Sequence, residues 1–73
     1  MATGYSGKKA HDDAITASEG VRQQAVKNAA NQAAIIAAEK THALTCRASS
    51  LANNGGTDIA VWNTMLRELG VQY

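Results

Sequence analysis

The sequence predicts an all-α protein, and three observations lead to this prediction. Alanine, which has the highest helix propensity of all residues, supplies fifteen of the 73 positions. Proline is absent, so no residue forces a helix to stop. The stretch Gln23–Ala38 consists of alanine, amide and aliphatic residues around a single charge, that of Lys27. We therefore expect helices and no sheet.

The first helix is expected to span about residues 12–51. Asp12 and Asp13 suit its start, because carboxylates accept hydrogen bonds from free backbone N–H groups and favour the positive end of the helix dipole. The capping-box sequence Thr16–Glu19, followed by Gly20, offers a second start and leaves open a break there. A continuous helix is favoured, because one interior glycine costs only about 1 kcal/mol relative to alanine.

A second, shorter helix is expected over about residues 58–69, so that the chain forms a helical hairpin. The sequence Asn53–Gly56 is the clearest stop signal, since asparagine and glycine tolerate the left-handed conformation that ends helices. Thr57 fits the N-cap of the helix that follows. Folded back over this turn, the short helix covers only the last part of a first helix about 60 Å long. The predicted intrachain core consists of Leu44, Leu51, Ile59, Trp62, Leu66 and Leu69.

The stretch Gln23–Ala38 is left without an intrachain partner by this arrangement. A helix that is apolar nearly all round is normally buried, and an isolated helix is marginal in water. The single cysteine excludes an intrachain disulfide, which leaves oligomerisation as the ordinary way to stabilise so short a chain. We therefore expect a surface that packs against copies of the same chain or a larger protein. Its predicted residues are Val21, Val26, Ala30, Ala33, Ile35, Ile36 and Ala37.

The domain organisation follows from the same pattern. Residues 1–10 are polar and glycine-bearing and are expected to form a flexible N-terminal arm, with residues 11–73 as a single helical domain. The N-terminus shows no apolar segment of a secretory signal, and the longest apolar run, residues 33–38, is too short to span a membrane. The expected location is the cytoplasm or an assembled particle.

Sites for chemistry are sparse in this sequence. His42 and Cys46 share a helix face at i, i+4, the spacing of half a zinc site or of a Cys–His nucleophile pair. A structural zinc site needs four ligands, and no second pair of this kind is present. No carboxylate pair is arranged for acid–base catalysis. The sequence therefore predicts no catalytic, metal-binding or cofactor-binding residues.

Three functional hypotheses follow. The first is a small non-enzymatic structural or assembly protein that self-associates, or packs into a larger complex, through its Ala-rich helix. The second is a small regulatory or inhibitory helical protein that binds a larger protein. The third is a helical protein associated with nucleic acid; it ranks last, because the net charge is only +1 and the basic residues are dispersed.

Overall fold

The computed structural model describes the backbone of residues 2–73 and the side chains from Lys8 onward. Three helices follow one another: α1 (Ala2–Lys27), α2 (Gln32–Asn53) and α3 (Ile59–Glu68). Residues 2–73 contain no strand, so the predicted all-α class is confirmed. The number of helices is three, however, and not the two expected from the sequence.

Helix α1 begins well before residue 12, where a start was expected. The segment lacks proline, and ion pairs one turn apart support its helical form. Lys8 Nζ lies 3.2 Å from Asp12 Oδ2, and Lys9 Nζ lies 2.9 Å from Asp13 Oδ2. Met1 and the side chains of residues 2–7 lie outside the described part, so the flexible arm assigned to residues 1–10 stays a prediction.

The expected continuous helix is wrong, and the break falls at residues 28–31 rather than at Gly20. Asn31 has extended backbone dihedral angles (φ −157°, ψ 176°), and its side chain accepts a hydrogen bond of 2.9 Å from the backbone N–H of Ala34. It is therefore the N-cap of α2. Gly20 lies inside α1 without interrupting it. The break lets α2 turn back along α1 and form contacts that a single long helix cannot make.

The two long helices form an antiparallel hairpin whose register is set by two polar contacts. Ser49 lies beside His11, with 2.8 Å between Ser49 Oγ and His11 Nδ1. His42 lies beside Ser18, with 2.7 Å between Ser18 Oγ and His42 Nδ1. Both steps are seven residues, about two helical turns, so the helices stay in register between them.

Helix α3 follows a glycine turn and packs on the end of α2. Gly55 and Gly56 adopt φ angles of 61° and 76°, a region in which residues with a side chain are strained. The N–H groups of Asn54 and Gly56 both bind the carbonyl oxygen of Ser50, which satisfies the end of α2. The stop signal in the sequence thus marks the true end of a helix, and α3 lies within one residue of its expected bounds.

The core is small, and half of it is polar. Among the described side chains, the buried apolar ones are Ala43, Cys46, Trp62 and Leu66, and the buried polar ones are His11, His42, Ser49 and Ser50. Ile59 and Leu69, predicted for the core together with Trp62 and Leu66, are half-buried.

Leu44 and Leu51 do not belong to this core, which corrects their assignment. They are 41% and 54% exposed. A helix turns by about 100° per residue, so Leu44, two residues before the buried Cys46, points to nearly the opposite side of α2. The short helix α3 covers only the side that carries Cys46, and the leucines therefore face outward.

The molecule is a flat slab. Its principal extents are 46 × 25 × 12 Å, and its radius of gyration is 13.1 Å, against about 11 Å for a compact domain of this length. One broad side of the α1–α2 hairpin consequently lacks a packed layer. In residues 2–73 no helix combines the length and hydropathy needed to cross a bilayer.

We predict that Asn31→Ala lowers the free energy of unfolding by about 1 kcal/mol, because the N-cap hydrogen bond to Ala34 is lost. Urea denaturation followed by circular dichroism measures this change. The matched control is Gln32→Ala, one residue further on at the exposed first position of α2, which keeps the cap. Equal stabilities of the two variants would show that Asn31 does not start a helix.

Candidate functional site

An open apolar groove runs between α1 and α2 on the uncovered side of the slab. It encloses about 800 Å³. We call this side the α1–α2 face. Its principal lining residues are Ala14, Ala17, Val21 and Ala25 of α1 and Ala34 and Ala37 of α2.

The α1–α2 face carries small side chains and almost no charge, and this follows from the helical spacing of the sequence. Residues three, four and seven apart fall on one side of a helix, and on both helices these positions carry mostly alanine. Arg22 is the charged residue at the edge of the groove, and it binds Glu19 through hydrogen bonds of 2.7 Å (Nε to Oε1) and 2.6 Å (Nη2 to Oε2). The arginine side chain lowers the pKa of Glu19 to about 2. The charges at the edge are thus paired within the chain, and the groove floor offers mainly apolar contact.

The structure brings together only some of the residues predicted for a partner surface. Val21, Ala30 and Ala37 line the groove, and Val21 is 67% exposed. The remaining predicted residues do not line it: Ala33 is exposed, and Val26, Ile35 and Ile36 are half-buried. Because the turn at residues 28–31 separates the two helices, these side chains cannot form the single stripe expected of one long helix.

A polar cluster centred on the half-buried Asp58 joins all three helices, and the sequence did not reveal it. Asp58 Oδ2 accepts hydrogen bonds from His11 Nε2 of α1 (2.8 Å) and Trp62 Nε1 of α3 (2.6 Å). Its other oxygen, Oδ1, accepts from the Ser50 hydroxyl of α2. Asp58 is also the N-cap residue of α3, yet its side chain forms no capping bond. The carboxylate of Asp58 instead accepts hydrogen bonds from the other helices. The N-cap expected at Thr57 does not form, because the N-cap position is occupied by Asp58.

The tautomer of His11 follows from its neighbours. A carboxylate can only accept, so in the neutral imidazole the proton lies on Nε2, towards Asp58. Ser49 Oγ accepts a 3.2 Å hydrogen bond from Asn53 Nδ2, which leaves its own proton to donate to His11 Nδ1. Each polar atom of His11 is satisfied, although the residue is only 2% exposed.

Ser49, His11 and Asp58 stand in the order of a nucleophile, a base and an orienting acid. The geometry does not favour catalysis, since Ser49 is 9% exposed and lies under Asn53, away from the groove. The cluster instead satisfies buried groups. Burial alone raises the pKa of Asp58, but the hydrogen bonds from His11, Ser50 and Trp62 outweigh it and hold the pKa well below its ordinary range.

A second polar group surrounds His42. Besides Ser18, its ring faces Glu19, with 3.4 Å between Nε2 and Oε1, and it meets Trp62 edge-on with centroids 6.0 Å apart. The Cys46 sulfur lies 3.8 Å from Nδ1, so the predicted i, i+4 pair is in contact. Burial raises the pKa of the Cys46 thiol, which keeps it protonated and a poor nucleophile. Across the described residues, no group of three or more His, Cys, Asp or Glu side chains is placed to hold a metal ion.

Comparison of this chain with protein-family models, with curated proteins and with solved structures gives no match.

We predict that Asp58→Asn lowers the free energy of unfolding by about 2 kcal/mol, because an amide has a single acceptor oxygen and cannot keep all the hydrogen bonds that the two carboxylate oxygens accept from His11, Ser50 and Trp62. Urea denaturation at neutral pH measures the loss. Asp12→Asn, at an exposed ion pair, is the control and changes stability by less than about 0.5 kcal/mol. A similar small change for both variants would contradict the role given to Asp58.

The stability is also expected to fall in acid. The pKa values of Asp58 and Glu19 are lower in the folded chain than in the unfolded chain, so the unfolded chain binds more protons at low pH. Their stabilisation is complete above about pH 4.5 and is lost as the pH falls towards 2. Asp58→Asn lacks one of these groups, and its stability declines less steeply. Parallel pH profiles for wild type and variant would be the contrary result.

Proposed function

We propose that the protein is a small, non-enzymatic assembly protein that self-associates through the α1–α2 face. The observation that carries this proposal is the groove itself: about 800 Å³ of open space lined chiefly by alanine and valine, on a slab only 12 Å thick. Contiguous exposed apolar patches on small proteins mark interaction sites. Here the patch occupies the side of the hairpin that α3 does not cover.

The imbalance between the core and the surface supports self-association. Large apolar side chains are scarce, and several of them are exposed to solvent, where they add no burial energy to the fold. Val21, Leu44, Leu51 and Val61 are between 41% and 67% exposed. A domain of this size buries too little of its surface for ample stability from a single core. Packing a second layer on the α1–α2 face adds apolar burial that the chain alone does not provide.

The polar groups support a structural role. The buried polar residues His11, His42, Ser49 and Ser50 are hydrogen-bonded within the chain, and no described buried side-chain polar atom lacks a partner. Several basic residues also have partners within the chain. Lys8 and Lys9 pair with aspartates and Arg22 pairs with Glu19, while Arg47 binds Asn63 and stacks on the ring of Tyr73. These pairings disfavour a basic surface for nucleic acid.

We predict that Val21→Glu weakens self-association at least about tenfold, since an unpaired carboxylate buried in an apolar interface costs more than about 1.4 kcal/mol. Sedimentation velocity over a wide concentration range measures the association constant. Val61→Glu is the matched control, because Val61 is 57% exposed and lies on α3, away from the groove. It leaves association unchanged.

A folded wild-type monomer at every concentration would overturn self-association. It would favour the regulatory function instead, in which the same groove receives a helix of a larger protein. Equal weakening by Val21→Glu and Val61→Glu would also count against the α1–α2 face, because it would show that the substitution acts through general destabilisation.

A further inference from the structure

Helix α2 carries an unbroken alternation of three- and four-residue steps along its outer side. The positions are Ala34, Ala37, Thr41, Leu44, Ala48 and Leu51. This is the a/d spacing of a coiled coil, sustained for two and a half heptads. Ala34 is half-buried, and the other five residues are exposed. We call these six residues the α2 seam.

The α2 seam and the groove belong to one surface. Ala34, Ala37 and Thr41 line the groove, and Leu44 and Ala48 continue the same side of the helix three and seven residues beyond Thr41. None of the six is charged. On α1 the matching positions, Ala14, Ala17, Val21 and Ala25, complete the surface.

We infer that the occupant of this surface is a second copy of the chain, placed by a two-fold axis parallel to the helices so that each α2 packs on α1 of the other copy. This rests on the proposed self-association and adds its geometry. The product is a closed four-helix bundle, two layers thick.

The size of the surface suits such a dimer. The outline of the broad side of the whole molecule, α3 included, measures 46 × 25 Å, which leaves room for the area of about 800 Å² that a stable interface takes from each partner. A net charge of +1 gives two copies little reason to repel. Both chains offer the same surface, as an isologous interface requires.

The sizes of the side chains favour α1 rather than α2 as the partner of the α2 seam. In the hairpin, Ala14–Ala17 lies level with Ala43–Cys46, because His11 and Ser18 lie level with Ser49 and His42. A two-fold axis parallel to the helices preserves these levels. It seats Leu44 on Ala14–Ala17 of the partner subunit, a large side chain on small ones, which is how facing layers interdigitate.

The charges near the surface favour the same choice. Stacking α2 on α2 in antiparallel fashion brings Lys40 of one copy within a turn of Arg47 of the other, and like charges repel. With α2 on α1, Arg47 lies level with Asp13 of the partner subunit; Arg47 binds Asn63 and Asp13 pairs with Lys9 within each chain, so no like charges meet at this level. The α1–α2 pairing therefore combines complementary sizes with the absence of a like-charge contact.

Disulfide trapping between two single-cysteine proteins tests this geometry. Ala17→Cys and Leu44→Cys are each made in a Cys46→Ser background, which removes the native thiol, and circular dichroism verifies the helical fold. A disulfide requires Cα atoms within about 7 Å. In a redox buffer we expect a covalent heterodimer when the two proteins are mixed, and little covalent dimer in either protein alone, on non-reducing electrophoresis.

Two results would overturn the inference without touching the proposed function. One is efficient cross-linking of Leu44→Cys with itself, which indicates α2 on α2. The other is association in sedimentation without a 17–44 cross-link in the mixture. Association into species larger than a dimer would likewise contradict a closed two-fold bundle, whereas a monomer at all concentrations would reject the proposed function itself.

Discussion

The carboxylate of Asp58 is the constraint on which the rest of the structure depends. It lies at the start of α3 and accepts hydrogen bonds from His11 of α1, Ser50 of α2 and Trp62 of α3. The Asp58 side chain is only 28% exposed, and a carboxylate partly withdrawn from water is destabilised unless it is hydrogen-bonded, so these donors must be held in place together. The position of α1 along α2 and the turn before α3 are therefore coupled through one side chain. The polar interaction gives the small chain a defined arrangement that its few large apolar residues do not supply.

The use of polar side chains in the interior also explains why an apolar surface is exposed. Half of the described buried side chains are histidines and serines, and Leu44 and Leu51 are exposed on the other side of α2. The hairpin therefore has a polar, internally satisfied side beneath α3 and an apolar side that nothing in the chain covers. Alanine permits helices to approach closely on that side. Folding thus uses one side of the helix pair, and the proposed association uses the other.

Much of the secondary structure was predictable from the sequence, but the tertiary arrangement was not. Composition indicated the helical class, and Asn53–Gly56 indicated the turn before α3, because glycine is needed for positive φ angles there. The turn at residues 28–31 was missed because it contains neither glycine nor proline; the N-cap preference of Asn31 was the available signal. The Asp58 cluster joins residues 38 and 47 positions apart, His11 with Ser49 and with Asp58. No periodicity within a helix predicts such pairs, and burial of histidine and serine runs against the usual hydrophobic pattern.

A double-mutant cycle between His11 and Asp58 tests the central claim most directly. His11→Gln, Asp58→Asn and the double variant are compared with wild type by urea denaturation at neutral pH, and the coupling free energy is calculated. If the hydrogen bond between these side chains holds α1 to the start of α3, the two substitutions are non-additive, with a coupling of about 1–3 kcal/mol. Additive effects within about 0.5 kcal/mol would mean that the two residues act independently, and Asp58 would then not be the group that couples the three helices.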